Sequence, residues 1–194
     1  LSRYWELTVT YAAKPTAALS QLDILPAAES KRVLVEWNQT AREYPKNACV
    51  HHLFEEQVRR RPNDTALAFE DRNLTYRELN ERSNRLAAHL RELGVGPDKL
   101  VGVHLERSLE LLVATMAVLK AGGAYVPLDP AFPEDRIAFM IEDAKIGVLV
   151  TDSAHAGNLK NHSARLVKLD SDAAAIAAKS GDDVRGAVTS ANLS

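Results

Sequence analysis

The chain has 194 residues, 46% of them hydrophobic and 26% charged, with a formal net charge of −2. That balance fits a soluble globular chain and gives no support to a nucleic-acid or anionic-membrane partner. A single cysteine, Cys49, rules out a disulfide within the chain and fits a reducing cytoplasm, and no apolar run reaches the roughly 18 residues a membrane helix needs.

The opening stretch, "LSRYWELTVTYAAKPTAALSQLDILP", predicts one short helix and then a proline-interrupted segment. It has no basic region ahead of an apolar core, so it is not a signal peptide. It also starts without Met, which points to a piece of a longer protein. Within residues 27–41, Val33, Leu34 and Trp37 stand at helical spacing and predict a short helix. Residues 42–50 read as a linker.

Signals sharpen from His51. Leu53, Phe54 and Val58 share one helical face, and Pro62 stops the pattern. Arg59-Arg60-Arg61 then reads as a solvated helix end that complements the macrodipole. "TALAFE" (65–70) predicts a strand and "DRN" (71–73) a turn. Thr75 and Glu78 in "LTYREL" have the spacing of a capping box, in which the hydroxyl and the carboxylate each accept an amide of the other residue. The helix they open carries Leu79, Leu86, Leu90 and Leu93 on one stripe, with Gly94 just past its end.

Strands and helices then alternate. "LVGVHL" (100–105) is a predicted strand, and "SLELLVATMAVLKAG" (108–122) a helix with Ser108 as N-cap, Glu110 in the first turn and Lys120 in the last. Its apolar residues run almost all round, so it is expected to be buried on most sides. "AYVPL" (124–128) is the next strand. "PEDRIAFMIEDA" (133–144) is a helix with Pro133 at its first position, and "GVLVT" (147–151) and "ARLVKLD" (164–170) are further strands. This order predicts an α/β fold of parallel βαβ units. After Asp170 a surface loop is expected, with the Ala-rich 173–178 as a helical turn.

Candidate chemistry is sparse. Gly122-Gly123 closes a helix and opens a strand, the reverse of a dinucleotide fingerprint. The helix end beside it carries partial negative charge and would repel phosphate, so the doublet reads as a corner from a buried helix into a core strand. The Gly-x-Gly of "ELGVGPDK" also follows a helix and reads the same way. His51, His52, His89, His104, His155 and His162 lack zinc-motif spacing, and one cysteine does not complete a thiolate site. Cys49 has His51 two positions on as a base, but it sits in linker-like surroundings. His104 sits late in a predicted strand, and Asp129 and Asp152 lie just beyond strand ends, the edge where ligands bind in parallel sheets. A lone carboxylate at each place specifies neither metal binding nor acid–base work.

A family resemblance is specific where single residues are not. "LTYREL" (Leu74, Thr75, Tyr76, Glu78, Leu79) resembles the first core motif of the adenylation domains of nonribosomal peptide synthetases. "LKAGGAYVPLDP" (Leu119, Lys120, Ala121, Gly122, Gly123, Tyr125, Pro127, Asp129, Pro130) resembles the second. The sequence between and around them is similar over about residues 50–170. "LVEWNQTAREYPKNACVHHLFEEQ" resembles the linker between a condensation domain and an adenylation domain. The resemblance therefore implies a condensation-domain tail at 1–25, a linker at 26–50 and the N-terminal portion of an adenylation domain, incomplete, at 51–194. It implies the large N-terminal subdomain of adenylate-forming enzymes as the fold.

The family's reaction joins an amino acid carboxylate to the α-phosphorus of Mg-ATP, releasing pyrophosphate. The acyl group then passes to a phosphopantetheine thiol on a carrier domain. The third core motif, a phosphate loop ending in lysine, is not present; the chain ends "TSANLS" where its entry strand would begin. The ribose-binding aspartate, the specificity pocket and the C-terminal catalytic lysine are likewise missing. No catalytic, cofactor-binding or metal position is carried over, and the motif residues carry over as structural positions only. Alternative readings are a non-catalytic interaction module, a decayed gene product, or a relative of acyl-CoA ligases.

Overall fold

The computed structural model describes residues 25–194 except 158, 160, 161, 185, 187, 193 and 194, together with positions 5, 9 and 12. The expectations for the opening stretch therefore lie mainly outside the described residues. The chain divides into two units, Leu1–Tyr44 and Pro45–Ser194.

In the first unit, helix α1 (Ala27–Lys31) runs into a single π-helical turn, Arg32–Glu36. The Asn38 side-chain amide donates to the carbonyls of Val33 and Leu34 and closes the turn. The helix predicted from Val33, Leu34 and Trp37 forms, but Leu34, Val35 and Trp37 are all exposed.

The second unit begins with helix α2 (Val50–Arg60). It turns His51 inward and packs Phe54 on the core, while Leu53 of the predicted apolar face stays exposed. Strands β1 (Thr65–Phe69) and β2 (Arg72–Thr75) pair antiparallel. Here the expectation of a turn over 71–73 is corrected. Glu70, with φ +51°, takes the left-handed turn position, so the chain reverses one residue early and Arg72 onward pairs as a strand.

Helix α3 (Tyr76–Glu92) is opened by the capping box. The Glu78 amide donates to the Thr75 hydroxyl at 3.2 Å and the Thr75 amide to the Glu78 carboxylate at 2.8 Å. Such a cap is worth about 1 kcal/mol. Strand β3 (Leu100–Val103), helix α4 (Leu109–Ala121), strand β4 (Ala124–Pro127), helix α5 (Glu134–Asp143) and strand β5 (Val148–Thr151) follow. A short helix α6 (Ser153–Ala156), strand β6 (Arg165–Lys168) and helix α7 (Ala173–Ala177) complete the order. Pro133 has φ −55° and ψ 143°, the geometry of an N-cap rather than a first helical residue, so the predicted start moves by one position.

Strands β4-β3-β5-β6 form a four-stranded sheet, parallel throughout. Alternation along each strand sends side chains to two separate cores. Val101, Val103, Val148 and Val150 face one side, with Leu86 and Leu90 of α3 and Val113, Ala117 and Val118 of α4. Leu149 faces the other, with Ile137 and Ile141 of α5 and with Leu128. Gly102 lies on that second face; a Cβ there would stand 3.1 Å from Leu128 and 3.2 Å from Leu149. The expected βαβ architecture is present.

Two expectations about this sheet change. Strand β4 lies at an edge, not in the core, and Tyr125 and Pro127 are exposed on it. An edge tolerates Pro127, whose missing N–H would break an interior ladder. The stretch after Asp170 is also more than surface loop. Leu169, Ile176 and Val184 pack on the first core, and Asp183 reaches α3 and α4.

Candidate functional site

The carboxyl edge of a parallel sheet is where loops gather, and His104, Asp129 and Asp152 all stand there. His104 is 1% exposed. Its backbone amide donates to the Val150 carbonyl at 2.9 Å, and its Nδ1 lies 3.0 Å from the Leu128 carbonyl. One residue thus ties the ends of β3, β4 and β5 together. Burial holds its imidazole below the ordinary value, outweighing the Leu128 carbonyl and the nearby Asp152 and Asp129 charges.

His155, at the end of α6, packs edge-on against His104 with ring centroids 5.8 Å apart. Its Nδ1 lies 2.7 Å from Asp152 Oδ1 and its Nε2 3.4 Å from Glu106 Oε1. Partial burial works against its charge, but the two carboxylates prevail and raise its pKa. No local pattern announces this clasp, because Glu106 and His155 are distant in the chain.

Both marked carboxylates are already occupied. Asp129 Oδ1 accepts the Ala131 amide at 2.9 Å, and Asp152 caps α6 by accepting the His155 amide at 2.9 Å. Asp170 accepts the amide and hydroxyl of Ser153 and the amide of Ser171. Two clefts flank the edge. One of about 720 Å³ is lined by Arg82, Arg85, Glu110, Asp152, His155 and Asp170. The other, about 790 Å³, includes Glu106, Arg107, Asp129 and Phe132. Within the first, Arg82 pairs with Glu110 at 3.3 Å. The polar groups at this edge cap, clasp and pair; the Ser153 hydroxyl, which donates to Asp170 at 3.0 Å, belongs to the same network that holds the start of α6.

The two sequence motifs lie elsewhere in the layers. Leu74 and Leu79 are buried, Tyr76 lies 5.8 Å from the Phe54 ring, and Thr75 and Glu78 make the cap. In the second motif, Gly122 has φ +96°, and the Gly122 and Gly123 amides donate to the carbonyls of Leu119 and Val118. This pair of bonds is a Schellman closure. Gly94-Val95 closes α3 with the same pair, and Lys145-Ile146 closes α5.

The space a phosphate would need beside the glycines is filled by the protein itself. A Cβ on Gly122 would stand 2.7 Å from Val188 Cγ2; one on Gly123 would stand 2.8 Å from Val95 Cγ1 and 3.0 Å from the Lys99 carbonyl. The helix end there presents carbonyls, not amides. These residues do not fit a nucleotide.

Lys120, in the same motif, holds an arrangement that sequence reading missed. Its side chain is fully buried, and its ammonium is bound by Glu55 of α2 and lies 3.6 Å from Asp183. Asp183 also accepts from the side-chain amides of Asn80 and Asn84, at 2.8 and 3.1 Å. Burial works against the Asp183 charge, but the two amides and Lys120 together hold the carboxyl below its usual value. The partners are 65 and 63 positions away from Lys120, beyond any local pattern.

At the start of α2 the side chains of Cys49, His51 and His52 converge, their ligand atoms within 4.8 Å of one another. His51 is pushed down to about 4 by burial, by His52 and by the Lys120 ammonium. The local signal was the spacing Cys-x-His-His across a predicted helix start, which matches no standard zinc motif.

Comparison with known proteins places the chain in a family. Residues 54–191 match the family model described as AMP-binding enzyme. A linear gramicidin synthase of Brevibacillus parabrevis is 46% identical over 172 residues, covering 89% of this chain. Bacitracin synthase 3 of Bacillus licheniformis is 52% identical over 138 residues, 71% of this chain. The chain spans about 2% of the length of each of these relatives. Among solved structures, the nonribosomal peptide synthetase FmoA3 in its alpha-methyl-L-serine-AMP bound form is similar over 97% of this chain and 21% of that one, with a TM-score of 0.74 and 29% identity. The N-terminal subdomain of Klebsiella oxytoca NpsA is similar over 74% of this chain and 36% of that one, with a TM-score of 0.63 and 26% identity. The chain therefore belongs to the AMP-binding enzyme family as the N-terminal part of a nonribosomal peptide synthetase adenylation domain.

Proposed function

We propose that this chain is the scaffold portion of an adenylation domain that activates an amino acid with Mg-ATP. The product is an aminoacyl adenylate, and the acyl group then passes to a phosphopantetheine thiol on a neighbouring carrier domain. The partners are the condensation and carrier domains of the same cytoplasmic synthetase, with residues 1–25 as a condensation-domain tail, 26–50 as the linker and 51–194 as adenylation domain. The observation that carries this reading is the 46% identity to a peptide synthetase over 89% of the chain.

The 194 residues alone do not catalyse adenylation on this reading. The glycine corner is packed shut, and the carboxyl-edge carboxylates are consumed in caps and clasps. What these residues supply is a rigid parallel sheet and its first helices. Among the described residues no helix is long and apolar enough to cross a membrane.

The test is amino-acid-dependent exchange of pyrophosphate into ATP by the purified chain. The expected result is exchange at background with every proteinogenic amino acid. Exchange above background with any one of them would overturn the inactivity and put nucleotide contacts within these residues.

A further inference from the structure

The geometry points to a transition-metal site at the start of α2, in which Cys49 Sγ and one imidazole nitrogen each from His51 and His52 hold Zn(II) or a similar borderline cation. The three ligand atoms lie within 4.8 Å of one another. A tetrahedral zinc with bonds of about 2.3 Å to sulfur and about 2.0 Å to nitrogen needs ligand atoms roughly 3.3–3.6 Å apart. Closing the set takes about 1 Å of side-chain movement, within the reach of ordinary torsional adjustment. Thiolate and imidazole are the donors that favour zinc over magnesium or calcium.

The local backbone explains why these residues meet. Cys49 is the N-cap, with extended φ −77° and ψ 151°, so its side chain lies outside the helical turn. His51 and His52 lie in the first turn, with ring centroids 4.3 Å apart. Exposure is graded across the set. His51 is buried, Cys49 is partly buried and His52 is exposed, which leaves a route in from solvent. A cavity of about 120 Å³ touches Cys49 and His51 and is also lined by Thr189, Ser190 and Asn192. That volume has room for the water that completes a three-ligand zinc site.

Two charges work against a cation here, the positive end of the α2 dipole and Lys120. The Lys120 charge is offset by its bonds to Glu55 and Asp183. A thiolate on Cys49 would offset the dipole. The consequence of occupancy is structural: the metal joins the N-cap to the first turn of α2, fixing the segment by which the chain enters the helix.

The experiment titrates the full 194-residue chain with Co(II) and then displaces it with Zn(II), alongside Cys49→Ser and His52→Gln. The expected result is a thiolate-to-cobalt charge-transfer band with tetrahedral d–d absorption, removed by one equivalent of Zn(II). Cys49→Ser abolishes the charge-transfer band. His52→Gln, an exposed substitution that keeps the fold, weakens Zn(II) at least about tenfold in competition with a chromophoric chelator. Zn(II) at a hundredfold excess over the parent Kd raises Tm of the parent chain by roughly 5–10 °C and raises that of His52→Gln by at most about half as much. Cobalt bound without a thiolate band, or zinc bound equally by parent and both variants, would overturn the proposal.

Discussion

The histidines at the sheet edge show how residues of one type take opposite roles. His104 is buried and held below its ordinary pKa, so the unfolded chain takes up a proton first as pH falls below 6.5. Its contribution lowers stability on the acid side. His155 is held above 6.5 by Asp152 and Glu106, so its contribution is full below 6.5 and is lost as pH rises through the raised value. The other charged groups facing the pair are Asp129 and, around the cleft, Arg82, Arg85, Arg107, Glu110 and Asp170. We expect His155→Gln to flatten the decline of stability above about pH 6.5 and to leave the acid limb in place. Urea denaturation midpoints from about pH 5 to about pH 8 check this, and an unchanged alkaline slope would contradict the clasp.

The elements divide into those the sequence announces and those it hides. The capping box at Thr75, the Ser108 cap and the left-handed Gly122 were all legible, because each depends on residues within one helical turn. Strand β2 was hidden because Arg72 and Asn73 have no strand-like apolar alternation; their pairing with Phe69 and Ala68 makes them a strand. The edge position of β4 was hidden because strand order is a tertiary property. The Lys120 triad was hidden because its members come from three separate segments.

Two predictions belong to these elements. Gly122→Ala forces a side chain to φ +96°, and Gly123→Ala drives a Cβ against the Lys99 carbonyl, so each is expected to cost about 1–3 kcal/mol. Gly147 has open space within 4 Å of where a Cβ would stand and no left-handed φ, so it is the control, and Gly147→Ala should stay within about 1 kcal/mol of the parent. Equal melting temperatures for all three variants would contradict the packed corner. Separately, Lys120→Ala leaves Glu55 without its buried cation and is expected to cost about 3–5 kcal/mol, whereas Arg72→Ala, at an exposed pair with Glu110, should cost about 0–1 kcal/mol. Chemical denaturation of the two variants side by side separates these outcomes.

For the whole molecule, the match to peptide synthetases runs over most of the chain. These residues form a four-stranded parallel sheet with α3 and α4 on one face and α5 on the other, and a glycine corner packed too tightly for phosphate. A scaffold of this kind should be exchangeable between relatives without altering which amino acid is chosen.

The most direct test is a chimera in which residues 50–192 of this chain replace the matching segment of an adenylation domain in the Brevibacillus parabrevis linear gramicidin synthase that is 46% identical to it. Amino-acid-dependent ATP–pyrophosphate exchange is then measured across the proteinogenic amino acids. Exchange is expected to be retained, with the recipient's own amino acid preference. A folded chimera whose preference changes to a different amino acid would contradict the scaffold role, because these residues would then be choosing the substrate.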